Sequence, residues 1–447
     1  MVPGAVVPAP TPVVPAAAVA ETTTAPAPAP AARTSTGRLL GLLVPHRGSR
    51  FGALDGYRAL AALGVVVYHL AQPLGWLTPG DGAGLVEALL NNLGNFGVAI
   101  FFLLSGFLLY RPYARAALTD RPDPDPIRFF RHRVLRIYPA YWVALTAALV
   151  LVGLANPSAQ KITTLYLLVQ NYRPAHAQLG LHVAWTLVIE VSFYIALPFI
   201  AAFIHRVIAR SAPSPRARLQ AQLVGLGLLG VGSLLYRCTI GVQDGPFDMT
   251  HLWLPNFLDW FALGMLLAVC VAWNDLGRPL PTWFQALADN SWACVLLAAQ
   301  CYVVLALLRL DAGTGALGGG RESASEMAIR FFFNGLGAFF FLLPGVLGRR
   351  RGDWLHRGFD SRTLAVLGTV SYGIYLWHTI WIKVLAEAIW GTTLPTDPSP
   401  GSSALLVVGV AALTLVAAIA SYLLVERPVL RFKDPRRRRD PAGVGAA

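Results

Sequence analysis

Residues 403–425 read SALLVVGVAALTLVAAIASYLLV, 23 positions without one charged side chain. A hydrocarbon layer roughly 30 Å thick is crossed by about 20 such residues in a helix rising ~1.5 Å per residue. Blocks of the same kind recur toward the N-terminus, near residues 363–390, 327–347, 291–308, 254–273, 219–236, 184–204, 137–155, 94–112 and 57–77. Inside a bilayer core every backbone amide must be satisfied within its own segment, which leaves helices as the reading of apolar blocks this long. The expected fold is therefore all-α: a polytopic transmembrane helix bundle of about ten spans. The composition agrees, with 55% hydrophobic and 13% charged residues where soluble domains average about 25% charged.

The blocks divide the chain into three parts. Residues 1–48 are rich in Pro, Ala, Thr and Val, with Pro interrupting every apolar run, and read as a disordered tail. Residues 49–430 form the transmembrane domain, and residues 431–447 a basic disordered tail. The apolar stretch from Ile162 to Val169 is too short to span and reads as interfacial.

A net charge of +13, from 36 Lys and Arg against 23 Asp and Glu, invites a nucleic-acid partner. Its distribution argues for the lipid bilayer instead. Arg111, Arg115, Arg121, Arg128, Arg131, Arg133 and Arg136 fall in one loop region. Arg206, Arg210, Arg216 and Arg218 fall in a second, and Arg349, Arg350, Arg351, Arg357 and Arg362 in a third. With Arg427, Arg431, Lys433 and Arg436 to Arg439 at the end, alternate loops are basic. This is the positive-inside pattern and predicts both termini in the cytoplasm. Cys238, Cys270, Cys294 and Cys301 form no CxxC pair and have no His at ligand spacing; they read as packing residues, and no metal is expected.

Ionisable groups within the blocks need a pairing or functional reason. His69, Glu190 and His378 stand out. At 1.5 Å per residue they lie roughly 18, 20 and 22 Å from the cytoplasmic side, a common level. Ser371, Tyr375 and His378 follow one another at i, i+4, i+7 and share a helical face; Ser105 adds a hydroxyl at similar depth. Taken singly, each His reads as an interhelical hydrogen-bonding group and Glu190 as a neutralising charge. Taken together, an imidazole and a carboxylate are what acid–base chemistry requires. At the cytoplasmic rim, Arg128 and Arg131, then Arg133 and Arg136, are spaced by three and lead into Ile137-Tyr138-Pro139-Ala140-Tyr141-Trp142. Guanidinium forks suit phosphate, and aromatic faces such as Tyr138 suit an adenine ring. Arg58 stands on the same block as His69.

The run Leu54-Asp55-Gly56-Tyr57-Arg58-Ala59-Leu60-Ala61-Ala62-Leu63, continuing to Tyr68-His69, resembles the first-span signature of acyltransferase family 3, in which an Arg and a His are separated by ten residues. Four further segments resemble the same family: Phe101 to Phe107 with Ser105-Gly106, Arg133 to Trp142, Trp185 to Tyr194 around Glu190, and Ser371 to His378. Thr379-Ile380 departs from the aromatic residue and Pro that often follow in relatives. The resemblance implies a bacterial inner-membrane enzyme that O-acylates surface glycans, lipid-linked sugars or glycosylated metabolites. It further implies an acyl-CoA donor, acetyl-CoA above all, with no tightly bound cofactor, and a one-component reaction.

The expected roles are as follows. His69 acts as general base or acyl carrier, with Glu190 orienting or charging it. Arg58, Arg128, Arg131, Arg133, Arg136 and Tyr138 hold the donor. Ser105, Trp185, Ser371, Tyr375 and His378 position the substrate. Two other classes are compatible with buried His and Glu: a proton-coupled transporter for a lipid-linked sugar or drug, and a non-catalytic scaffold. Consumption of acyl-CoA that depends on His69 excludes both.

Overall fold

The computed structural model describes residues 53–77, 84–208, 212–240, 249–308, 323–350, 352–395 and 397–432. The N-terminal tail anticipated from the sequence, and residues 433–447 of the C-terminal one, lie outside the described residues. Within them every regular element is helical. The principal helices are α1 (Ala53–Ala71), α2 (Leu85–Thr119), α3 (Pro126–Leu151), the short α4 (Ala159–Tyr166), α5 (Trp185–Phe203), α6 (Pro215–Thr239) and α7 (Leu258–Asp275). They are followed by α8 (Thr282–Ala288), α9 (Ser291–Leu308), α10 (Ala324–Leu347), α11 (Trp354–Phe359), α12 (Arg362–Thr369), α13 (Ser371–Trp390) and α14 (Pro400–Ser421).

Eight helices are long and apolar enough to cross a membrane, against about ten expected. The difference falls on α1 and α13. At 19 and 20 residues both exceed the 18 residues of α7 and α9, but Asp55, Arg58 and His69 in one, and His378, Lys383 and Glu387 in the other, dilute their apolar character. The two helices carrying the histidine candidates are thus the two that composition alone does not mark as spans. The segment from Ile162 begins inside α4, which is eight residues long, too short to span.

Local sequence sets the helix ends. Asp125, Ser214 and Ser399 cap α3, α6 and α14, accepting bonds from the first-turn amides, and each precedes a Pro that needs no amide partner. Ser323 and Glu326 close a capping box on α10. Helix α14 turns its side chains outward, with Leu405, Val408 and Val416 exposed as a lipid-facing surface requires.

The core is built where α2 crosses α7. Gly106 on α2 and Gly264 on α7 form the crossing point: a Cβ at either position would strike the opposite backbone, at the Phe261 carbonyl and the Leu103 carbonyl respectively. Small residues let helix backbones approach in this way where no hydrophobic effect drives association. Phe102, Phe193 and Phe261 fill the space around the crossing, with Phe261 stacked on both other rings at 4.7 and 3.9 Å between centroids.

A buried ion pair ties α6 to α7. Arg237 donates to Asp259 (3.0 Å), to the Asn256 side chain (3.1 Å) and to Ser233 (3.4 Å), and lies 4.0 Å from the centre of the Phe331 ring on α10. Removing one partner of such a pair leaves an uncompensated buried charge. Arg237→Met is therefore expected to destabilise the protein by about 3–5 kcal/mol, read as a lowered thermal unfolding midpoint in detergent. An unchanged midpoint would show that Asp259 finds another partner.

Candidate active site

The site is assembled by α1, α2, α3, α5, α13 and the 3₁₀ turn His182–Ala184 that leads into α5. His69 stands near the C-terminal end of α1 and His378 in the first half of α13. Their rings are 5.0 Å apart, with His378 Nε2 3.3 Å from His69 Nδ1. His69 Nδ1 also lies 2.9 Å from the Val65 carbonyl, and His378 Nδ1 3.1 Å from the Ile374 carbonyl.

A carbonyl only accepts, so each Nδ1 carries the proton. His378 Nε2 is then a lone pair that accepts from His69, and the two rings agree in tautomer. The consequence is that His69 Nε2 also carries a lone pair, and no hydrogen bond among the described residues occupies it. Tyr68 and His182 approach the His69 ring edge-on, at 4.9 and 6.2 Å between centroids.

Glu190 belongs to a second group. It accepts from Ser105 (2.8 Å) and from Tyr194 (2.6 Å), the latter one turn along α5. No hydrogen bond among the described residues joins Glu190 to His69. Ser105 reaches across from α2 to Glu190 on α5. Tyr375 bonds the Val183 carbonyl (2.8 Å) and the Thr186 hydroxyl (2.6 Å), and Ser371 bonds the Gly368 carbonyl (2.8 Å).

Between the helices lies a cavity of about 130 Å³. Arg58, Arg133 and Arg136 line it together with Ser105, Glu190, Tyr194, Ser371 and Tyr375. Arg58 is held by Asp55 at 3.3 Å, and Arg133 lies 5.8 and 5.9 Å from the ring centres of Phe129 and Tyr194. Tyr375 forms the wall toward the imidazoles, its ring 6.0 Å from that of His378. Arg58 and His69, eleven residues apart on α1, are separated by roughly 16 Å of helix. Basic and imidazole groups thus occupy successive levels of one bundle.

Four expected members lie elsewhere. Arg128 and Arg131 are exposed and do not line the cavity. Tyr138 bonds the Leu167 carbonyl (3.2 Å), and Trp185 packs its ring 5.9 Å from Phe257. Within the rim helix only the second Arg pair faces the cavity. Four further polar residues escaped the sequence reading: His182, Tyr194, Lys383 and the buried Glu426. Lys383, within Ile382-Lys383-Val384, was visible by the rule that marks His378, an ionisable group in an apolar block. His182 and Glu426 lie at block edges, where that rule has no force. No group of three or more His, Cys, Asp or Glu among the described residues is arranged to hold a metal ion.

The acyltransferase domain of acyltransferase family 3 matches residues 51–425, which takes in every side chain of this site. The chain belongs to that family. The acyltransferase MdmB of Streptomyces mycarofaciens is 24% identical over 88% of this chain and 95% of its own. The exopolysaccharide production protein ExoZ of Rhizobium meliloti is 28% identical over 77% of this chain and 92% of its own. A putative O-acetyltransferase of Staphylococcus aureus is 24% identical over 73% of this chain, which spans about half of that relative's length (49%). No solved structure gives a significant match. Membership in this acyltransferase family and the apolar helices together describe a multi-pass membrane protein with an acyl-transfer fold.

Proposed function

We propose that this family member transfers an acyl group, acetyl in the simplest case, from cytoplasmic acyl-CoA to a hydroxyl of a sugar-containing acceptor. The observation that carries the reading is a cavity lined by three guanidiniums and by Tyr375, whose ring stands 6.0 Å from that of His378, the partner of His69. Arg58, Arg133 and Arg136 bind the donor's phosphates, for which guanidinium forks are well shaped. The flexible pantetheine arm carries the thioester along the cavity toward His69. This orientation sets the arginine end toward the cytoplasm of a bacterial inner membrane.

His69 Nε2 removes the proton of the acceptor hydroxyl as that oxygen attacks the thioester carbonyl; the C–S bond then breaks, the ester is left on the acceptor, and CoA departs as its thiol, taking the proton back from the imidazolium. Val65 and His378 fix the tautomer and share the charge left on the ring, while Glu190 holds Ser105 and Tyr194 in the donor channel. The glycan acceptor draws support from the exopolysaccharide function printed for one relative, and the acetyl group from the O-acetyltransferase name of another.

The test is acetyl-CoA consumption, followed as free thiol, by the purified protein in nanodiscs. Arg136→Gln is expected to raise KM for acetyl-CoA about tenfold or more, the worth of one charge-assisted hydrogen bond, with kcat little changed. Absence of thiol release, or an unaltered KM in both Arg133→Gln and Arg136→Gln, would remove the donor assignment.

A further inference from the structure

The helix that carries Arg133 and Arg136 is fastened by bonds outside the cavity. The chain enters α3 through Arg121-Pro122-Asp123-Pro124-Asp125-Pro126, where a Pro at every second position fixes φ and leaves the linker little slack. Asp125 caps the helix, accepting from the Ile127 amide (3.0 Å). Arg218 on α6 pairs with Asp120 (2.9 Å) at the start of the linker, and His205 pairs with Asp123 (2.8 Å) in its middle. His205 stands on the π-helical turn Ile204–Ile208 that follows α5.

Behind this pair the bonds continue inward. His205 Nε2 lies 3.4 Å from the Tyr110 hydroxyl, which lies 3.2 Å from Gln222 Oε1; Tyr110 and Gln222 are fully buried. The Asp123 carboxylate only accepts, so His205 Nδ1 carries a proton. Tyr110 has a single hydrogen to give. When Gln222 Oε1 takes it, the hydroxyl oxygen accepts from His205 Nε2, and the ring is an imidazolium facing Asp123. When the Gln222 amide turns over, its NH₂ donates to Tyr110, whose hydrogen passes to a neutral His205 Nε2. Gln222 Nε2 is buried with no partner, so no bond at that end holds the amide in one orientation. The network thus has two complete patterns that differ by one proton on His205. The other titratable or charged groups at hand are Arg206, exposed on the same turn, and Tyr113 on α2, whose ring stacks on Tyr110 at 6.3 Å.

The same cluster touches α3 itself. Phe129 stands 6.2 Å from Tyr113 and 6.4 Å from Tyr194 between ring centres, and Arg133, one turn on, rests against Phe129 and Tyr194. Arg133 Nε is buried without a partner.

We propose that Asp123 and His205 are positioning residues for donor binding: they form a proton-dependent latch that holds α3 so that Arg133 and Arg136 face the cavity. The effect on acetyl-CoA rests on the donor reading above; the latch itself does not. A hydrogen bond with charged partners is roughly twice as strong as a neutral one. The latch is therefore tightest when His205 holds both protons, and it loosens as rising pH removes one.

The experiment follows hydrogen–deuterium exchange of residues 126–136 and KM for acetyl-CoA in the full chain in nanodiscs. It runs from about pH 5 to 8, the range in which an imidazole titrates. After correction for intrinsic exchange, the wild-type segment is expected to lose protection, and KM to rise, as pH increases. Asp123→Asn, His205→Gln and the double variant are each expected to exchange faster and to lose this pH dependence. At the acid end each raises KM about fivefold or more with kcat little changed. The double variant is expected to be no worse than either single one, because the same bond is missing in all three. Unfolding midpoints establish that the variants are folded, and the wild-type profile tests the latch without any variant. Flat wild-type protection across this range, wild-type protection and KM in Asp123→Asn, or an unchanged pH dependence in His205→Gln would overturn the proposal. Lost protection without a rise in KM would overturn it as well. Absence of thiol release at every pH removes the donor reading instead, and the exchange data then decide the latch alone.

Discussion

Replacing His69 with Gln is expected to lower kcat for acyl transfer about 10²–10⁴-fold, the usual contribution of a positioned general base. Gln keeps much of the volume and can still donate to the Val65 carbonyl, so the loss isolates the basic nitrogen rather than the packing. KM for acetyl-CoA is expected to stay within a few-fold, because Arg58, Arg133 and Arg136 bind roughly 16 Å away along α1. Thiol release with purified variants gives the rates, and mass spectrometry of the acceptor gives the transferred group. A variant retaining more than about a tenth of the wild-type rate would be incompatible with base catalysis on that scale. A KM that rises in step with the fall in kcat would instead place His69 in donor binding.

The second large effect is steric and lies outside the chemistry. Gly264→Val is expected to prevent correct assembly of the bundle. A Cβ at position 264 meets the Leu103 carbonyl and the Phe107 amide, while one at position 106 meets the Phe261 carbonyl and the Met265 amide. These are backbone atoms, so no rotamer change relieves the clash and α2 must part from α7. Overpacking a well-filled core costs about 1–3 kcal/mol and occasionally more; reciprocal backbone contacts put this case at or beyond the upper end. Gly230→Ala on α6 is the control, because nothing lies within 4 Å of a Cβ there. The readout is the monodisperse fraction in detergent chromatography. Equal yields of Gly264→Val and Gly230→Ala would exclude the crossing as a determinant of the fold.

The candidates differ in how much of their role a one-dimensional reading can carry. His69 and Arg58 share a helix, so their separation along the bundle follows from rise per residue alone. The stripe Ser371, Tyr375 and His378 follows from helical period, and in the structure the first two line the cavity while the third meets His69. The pairing of Glu190 with His69 was inferred from a common level in the membrane. Depth is one coordinate; rotation about the helix axis is another, and it turns Glu190 toward Ser105 and Tyr194. The four rim arginines divide for the same reason, since only Arg133 and Arg136 face inward from α3.

By itself the sequence determined a bundle of transmembrane helices, because lipid offers backbone amides no partner and blocks of about 20 apolar residues have few other ways to satisfy them. It likewise determined which helices bear the polar groups and in what order along the axis. Only the tertiary structure decided who meets whom: His69 with His378 and the Val65 carbonyl, Glu190 with Ser105, and the His182 ring 6.2 Å from that of His69. Those meetings depend on how closely and at what rotation distant helices cross. That is set by reciprocal contacts such as Gly106 against Gly264, which are separated by 158 residues of chain and leave no periodic trace in either segment.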